Sequence, residues 1–106
     1  MKLIMAIVNK DDAGRVADAV MDAGFFATKL ATTGGFLKAG NTTFLIGTEE
    51  EKVDEVIELV GKHSKRRTQL VSASAYNSMH ASAFPVEVTV GGATIFVMDV
   101  ERFEKL

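Results

Sequence analysis

Leu3 to Val8 is an unbroken apolar run, closed by Asn9, Lys10 and Asp11. Such a run predicts a strand covered on both faces, hence a central one. From Asp11 to Ala23 the apolar positions Ala13, Val16, Ala17 and Val20 fall at i, i+3, i+4 and i+7, and Gly24 follows where a C-terminal cap sits. That spacing predicts a short amphipathic helix. Phe25 to Thr33 is rich in β-branched and aromatic residues, Gly34-Gly35 interrupts it, and Asn41 to Gly47 resumes the pattern. Two strands joined by a glycine-bounded loop, Gly34 to Gly40, are expected.

Thr48 then predicts the start of a second helix, because its hydroxyl can accept from the backbone of Glu51 while the Glu51 carboxylate reaches back, a capping box. Val53, Val56, Ile57 and Val60 supply the buried stripe. The acidic start (Glu49, Glu50, Glu51) and basic end (Lys62, His63, Lys65, Arg66, Arg67) complement the helix dipole, so these charges read as helix-end residues. Ser72 to Ala83 is small and polar without a period, which predicts a mobile loop. Pro85 opens a last pair of strands, Val86 to Val90 and Ala93 to Val97, split by Gly91-Gly92 as in a hairpin, and a short tail, Glu101 to Leu106, remains.

The order is β-α-β-β-α-β with one more strand: an α+β, ferredoxin-like βαββαβ sandwich with an extra C-terminal hairpin strand. Two helices cover one face of such a sheet. The opposite face has no third layer from the same chain, which predicts self-association.

Composition narrows the function. At 106 residues the chain reads as one domain, 1–106, able to bury roughly 60–70% of its unfolded surface without a staple. It has no Cys, which excludes a thiol nucleophile and any cysteine-ligated cluster or zinc. The formal charge of -2 lacks the basic excess that nucleic-acid phosphates need. The apolar start is too short to span a bilayer and has no small-residue cleavage site, so a soluble cytoplasmic protein away from membranes is expected. His63 and His80, the only histidines, are not spaced as a ligand pair, and no G-x-S-x-G elbow is present. Neither a metal nor a catalytic residue is assigned.

The segment Thr32 to Thr43, TTGGFLKAGNTT, carries the most chemistry. Its glycines leave backbone N–H groups open, Thr and Asn add short donors and acceptors, and the apolar Phe36-Leu37 pair sits in a loop. That mixture suits a purine with a phosphate. It is not a P-loop, since G-x-x-x-x-G-K-[ST] is absent.

ATKLATTGGFLKAGNTTFLIG, Ala27 to Gly47, closely resembles the strand–loop–strand signature of the PII-like cyclic di-AMP receptor proteins of Gram-positive bacteria, and Pro85 to Val100 resembles their C-terminal hairpin. The MKLIMAIV start fits as well. The resemblance implies a PII-like homotrimer, a signalling protein and not an enzyme, with cyclic di-AMP in clefts between subunits and a signal passed through loops to an unidentified effector protein. Carried over by position, it implies that Thr28 bonds a phosphate or ribose oxygen and that Gly35, Phe36 and Leu37 surround one adenine. Asn41 and the carbonyl of Gly47 would read adenine's polar edge, and Phe96 would line the pocket.

Two positions depart from the pattern. Gly24 and Phe26 stand where the family often has asparagine and arginine, so a cation is missing, although Phe26 can still stack on a purine. Losing a charge-assisted contact costs ~1.5–3 kcal/mol, which implies weakened or lost cyclic di-AMP binding. Lys105 stands near a position sometimes held by a glutamine contact. The alternatives are a conventional PII-type ATP/ADP sensor, whose long modifiable loop would have to occupy the short Gly34 to Gly40 segment, and a metal-handling or enzymatic protein on the same scaffold. RNA binding ranks last, for want of an aromatic RNP signature.

Overall fold

The computed structural model describes residues 1–30, 40–72 and 85–106. β1 (Lys2–Asn9) leads into α1 (Lys10–Asp22), followed by β2 (Ala27–Leu30), β3 (Asn41–Thr48) and α2 (Val53–His63), with a single 3-10 turn (Glu50–Lys52) ahead of α2. Then come β4 (Arg67–Ser72), β5 (Pro85–Val90) and β6 (Ala93–Asp99). The strands form a four-stranded sheet in the order β2-β3-β1-β6 and a separate ribbon of β4 and β5. Every pairing is antiparallel. The α+β class expected from the sequence is the class observed.

The apolar run at the N-terminus folds into the predicted central strand, with neighbours on both sides, but only one of its faces is fully covered. Ile4, Ala6 and Val8 are buried, and Leu3, Met5 and Ile7, on the other face, are half-buried. The buried set packs with Phe44 and Ile46 of β3, Val16 and Val20 of α1, and Val56 and Val60 of α2. Alternation along β1 and β3 therefore places the core on the helix side. α1 starts at Asn9, whose Oδ1 accepts from Asp11 N at 2.8 Å. It ends at Gly24, which takes a left-handed φ of 94° while Phe25 N donates to Val20 O at 3.1 Å.

Four expectations are corrected. Thr48 does not cap a helix: β3 runs through it, it pairs with Lys2 and its side chain is buried, so the hydroxyl never reaches a helix start. The helical turn begins after Glu49, without a side-chain cap. Gly91-Gly92 is not a hairpin turn either. β5 pairs with β4 and β6 pairs with β1, so the two glycines, with φ of 85° and 77°, carry the chain from the ribbon to the main sheet. Arg67, read as a helix-end charge, opens β4; the expected loop start, Ser72, closes it. Residues 73–83, the rest of the predicted mobile loop, lie outside the described residues.

The ribbon joins the body at its base. Gly92 N donates to Ser64 O. Arg67 forks onto the fully buried Asp12, with Nη1 to Oδ2 and Nη2 to Oδ1 both at 3.1 Å, and Arg15 Nη2 donates to Asp12 Oδ1 at 2.6 Å. At Gly91 a side chain is excluded, since a Cβ would lie 2.4 Å from Lys65 O.

Candidate functional site

The strand registers arrange the face opposite the helices in rows. Thr28, Leu45, Met5 and Phe96 form one row from the β2 edge to the β6 edge. Leu30, Thr43, Ile7 and Thr94 form the next, and beyond it Asn41 pairs with Asn9. In the other direction Gly47, Leu3 and Met98 make a row, and Phe26 stands opposite Gly47 when the β2–β3 register is extended by one residue. Thr28, Asn41, Gly47, Phe96 and Phe26 thus share one face by strand alternation. Gly35, Phe36 and Leu37 lie outside the described residues.

That face is apolar and open. Phe96 is 50% exposed and Met98 39%, on strand positions that would otherwise be covered. Phe26 is 88% exposed, which separates it from the core formed by its neighbour Phe25. Thr43, on the same face, is buried, and among the described residues its Oγ1 has no hydrogen-bond partner.

The face does not gather its candidate residues at a point. Asn41 and Gly47 are at opposite ends of β3, six residues apart, or ~20 Å at the rise of a strand. One adenine cannot touch both within one copy of the chain. Thr28 and Gly47 are closer, in adjacent rows near the β2 edge.

At the Asn41 end, a cleft of about 130 Å³ lies between Asn9, Asn41, Arg66, Gly91, Gly92 and Thr94. Arg66 borders a second, more apolar depression against Ile57, Ser64 and Ile95 on the helix side. Neither Arg66 nor the Asp12–Arg67 pair was singled out by sequence pattern. Arg66 reads as one of several helix-end cations, and Asp12 meets Arg67 across a sequence separation of 55 residues, which no local pattern reveals.

At the far end of β1, Lys2 Nζ donates to Asp99 Oδ1, opposite it in the β1–β6 register. This hydrogen bond holds the Lys2 ammonium above, and the Asp99 carboxyl below, their ordinary ranges, reinforced by the attraction of the two charges. No group of His, Asp and Glu among the described residues is arranged to hold a metal ion. No helix among them is long and apolar enough to cross a membrane.

A solved structure of a functionally unknown protein from Pediococcus pentosaceus ATCC 25745 is similar to this chain at 45% identity, with a TM-score of 0.75 over 99% of this chain and 96% of that one. The match extends over both chains nearly end to end. The family model for the cyclic-di-AMP receptor matches residues 1–106. With its whole length matched, the chain belongs to the cyclic-di-AMP receptor family.

Proposed function

We propose that this protein is a cytoplasmic signalling protein that assembles as a PII-like homotrimer of ferredoxin-like domains and binds cyclic di-AMP in clefts between subunits. The observation that carries this reading is the common face of Thr28, Asn41, Gly47, Phe96 and Phe26, opposite the helices and open to a partner. Their spread across that face favours sites composed from two copies. A ligand lying between subunits could take Thr28 from the β2 edge of one and Phe96 from the β6 edge of another. Gly35, Phe36 and Leu37 would complete the adenine surroundings, and the segment 72–83 would pass the bound state to an effector protein.

Chemistry supports each role. An amide such as Asn41 can pair bidentately with adenine, and an aromatic ring contributes ~1–3 kcal/mol by stacking on a base. Phe26 supplies a stacking surface without a charge. Affinity for the dianionic ligand is then lower than an arginine at this position would give.

Calorimetric titration of the purified protein with cyclic di-AMP, cyclic di-GMP and ATP tests the reading. Saturable binding of cyclic di-AMP, in preference to the other two, is expected. Preference for ATP would move the protein to the conventional PII-type sensors, and no binding of any of the three would refute the assignment.

A further inference from the structure

We propose that Arg66 is the cationic contact of a phosphate-binding cleft at the end of the sheet where β3 and β6 begin. The cleft is about 130 Å³, well below the ~300–1,000 Å³ of pockets that enclose a whole small-molecule ligand, so it suits one anionic group. Its polar lining is biased toward donors. Asn9 Oδ1 is already taken by Asp11 N, which leaves the Asn9 amide nitrogen as the free end of that side chain. Arg66 can only donate, and Asn41 and Thr94 can each donate as well. A site with that inventory fits an acceptor-rich oxyanion and not a cation.

The charge of Arg66 is available to such a ligand. The nearby buried carboxylate, Asp12, is engaged by Arg15 and Arg67, and among the described residues Arg66 forms no ion pair. Its side chain also lies against a bare backbone: a Cβ on Gly92 would come 3.6 Å from Nε and 3.9 Å from Nη2. The guanidinium thus lies beside Gly92, which at a φ of 77° holds a conformation that side chains rarely adopt, at the rim of the cleft.

Asn41 belongs both to this cleft and to the open face, so the anion and a base read by Asn41 would be parts of one ligand. Assigning that anion to a phosphate of cyclic di-AMP rests on the proposed function; the anion cleft itself does not. The experiment therefore uses two probes on the full chain, inorganic pyrophosphate and cyclic di-AMP, with wild type, Arg66→Gln and Arg66→Lys. The readouts are amide NMR at low ionic strength and melting temperature. Expected are saturable shifts at Gly91, Gly92 and the Asn41 side chain in the wild type, at least tenfold weaker binding in Arg66→Gln, partial recovery in Arg66→Lys, and unchanged melting because Arg66 is exposed. Pyrophosphate binding without cyclic di-AMP binding would uphold the cleft and overturn the ligand reading. Cyclic di-AMP bound equally by wild type and Arg66→Gln, with no saturable pyrophosphate shift, would overturn the cleft and leave the ligand reading standing.

Discussion

Thr28 and Phe96 terminate the same row of the four-stranded sheet, with Leu45 and Met5 between them. Three strand spacings separate them by ~14 Å, more than the reach of one purine. If both touch one base, they do so from different copies of the chain.

A charge in the middle of that row tests the assembly. In a single copy, Lys in place of Met5 can carry its ammonium outward along its stem, whereas under a second copy the charge would be buried without a partner. On the proposed assembly the wild type should sediment as a trimer and Met5→Lys as a folded monomer. A wild type that sediments as a monomer at micromolar concentration would remove the intersubunit clefts altogether.

Phe26 is solvated on the candidate face, so Phe26→Arg should be tolerated. The added guanidinium should tighten cyclic di-AMP binding by ~0.5–2 kcal/mol through a cation–π or phosphate contact. Melting temperature and calorimetry on the same variant decide the point. Unchanged melting with unchanged affinity would place the ligand away from this residue.

The ion pair at the base of the ribbon should be asymmetric under mutation. Asp12 is fully buried, whereas the Arg67 side chain is 34% exposed and the Arg15 side chain 63%. Arg67→Met leaves a buried carboxylate with one cation, at a cost approaching the ~3–5 kcal/mol typical of a broken buried pair. Asp12→Asn leaves arginines that water can still reach, and should cost less. Chemical denaturation of both variants gives the comparison.

Lys2 and Asp99 predict a pH window. Asp99, with its carboxyl held low, contributes stability that is present above its ordinary range and lost as pH falls through the lowered folded value. Lys2, held high, contributes stability that is present below its ordinary range and lost as pH rises through the raised folded value. The pair should therefore support the β1–β6 register between about pH 4 and 10. Because the Asp99 end is well exposed, the support should be small and should shrink with salt. Asp99→Asn should lower the melting temperature slightly throughout that window, and the difference should vanish only below its acid edge, where the folded carboxyl takes up its proton.

Much of the fold was legible because its cause is local. The run at Leu3 to Val8, the stripe of Val16 and Val20 and the stripe of Val56 and Val60 each pair a period with a burial that the structure repeats. Gly24 was legible for the same reason. The misreadings arise where one residue type serves two geometries. A threonine before three glutamates can open a helix or close a strand, and two glycines can form a hairpin or carry the chain between sheets. The choice at Gly91-Gly92 rests on β1 pairing with β6, a contact between the two ends of the chain. Similarly, Phe26, Thr28, Asn41, Gly47 and Phe96 could be singled out one by one, but their arrangement in rows depends on register. Arg66 became visible only beside Asn41.

The hydrogen bond from Gly92 to Ser64 marks where the chain leaves the body and where it returns. Among the described residues between them, β4 and β5 depart and come back through one doorway, while β2, β3, β1 and β6 remain hydrogen-bonded to one another without it. The ribbon is thus an appendage on a complete smaller sheet, and a chain spliced across that doorway should keep the sheet. Asp12 would then lose Arg67 and keep Arg15. Away from its base at Arg67 and Gly91, changes of length or sequence within the appendage can accordingly accumulate without disturbing the sheet that bears the candidate residues.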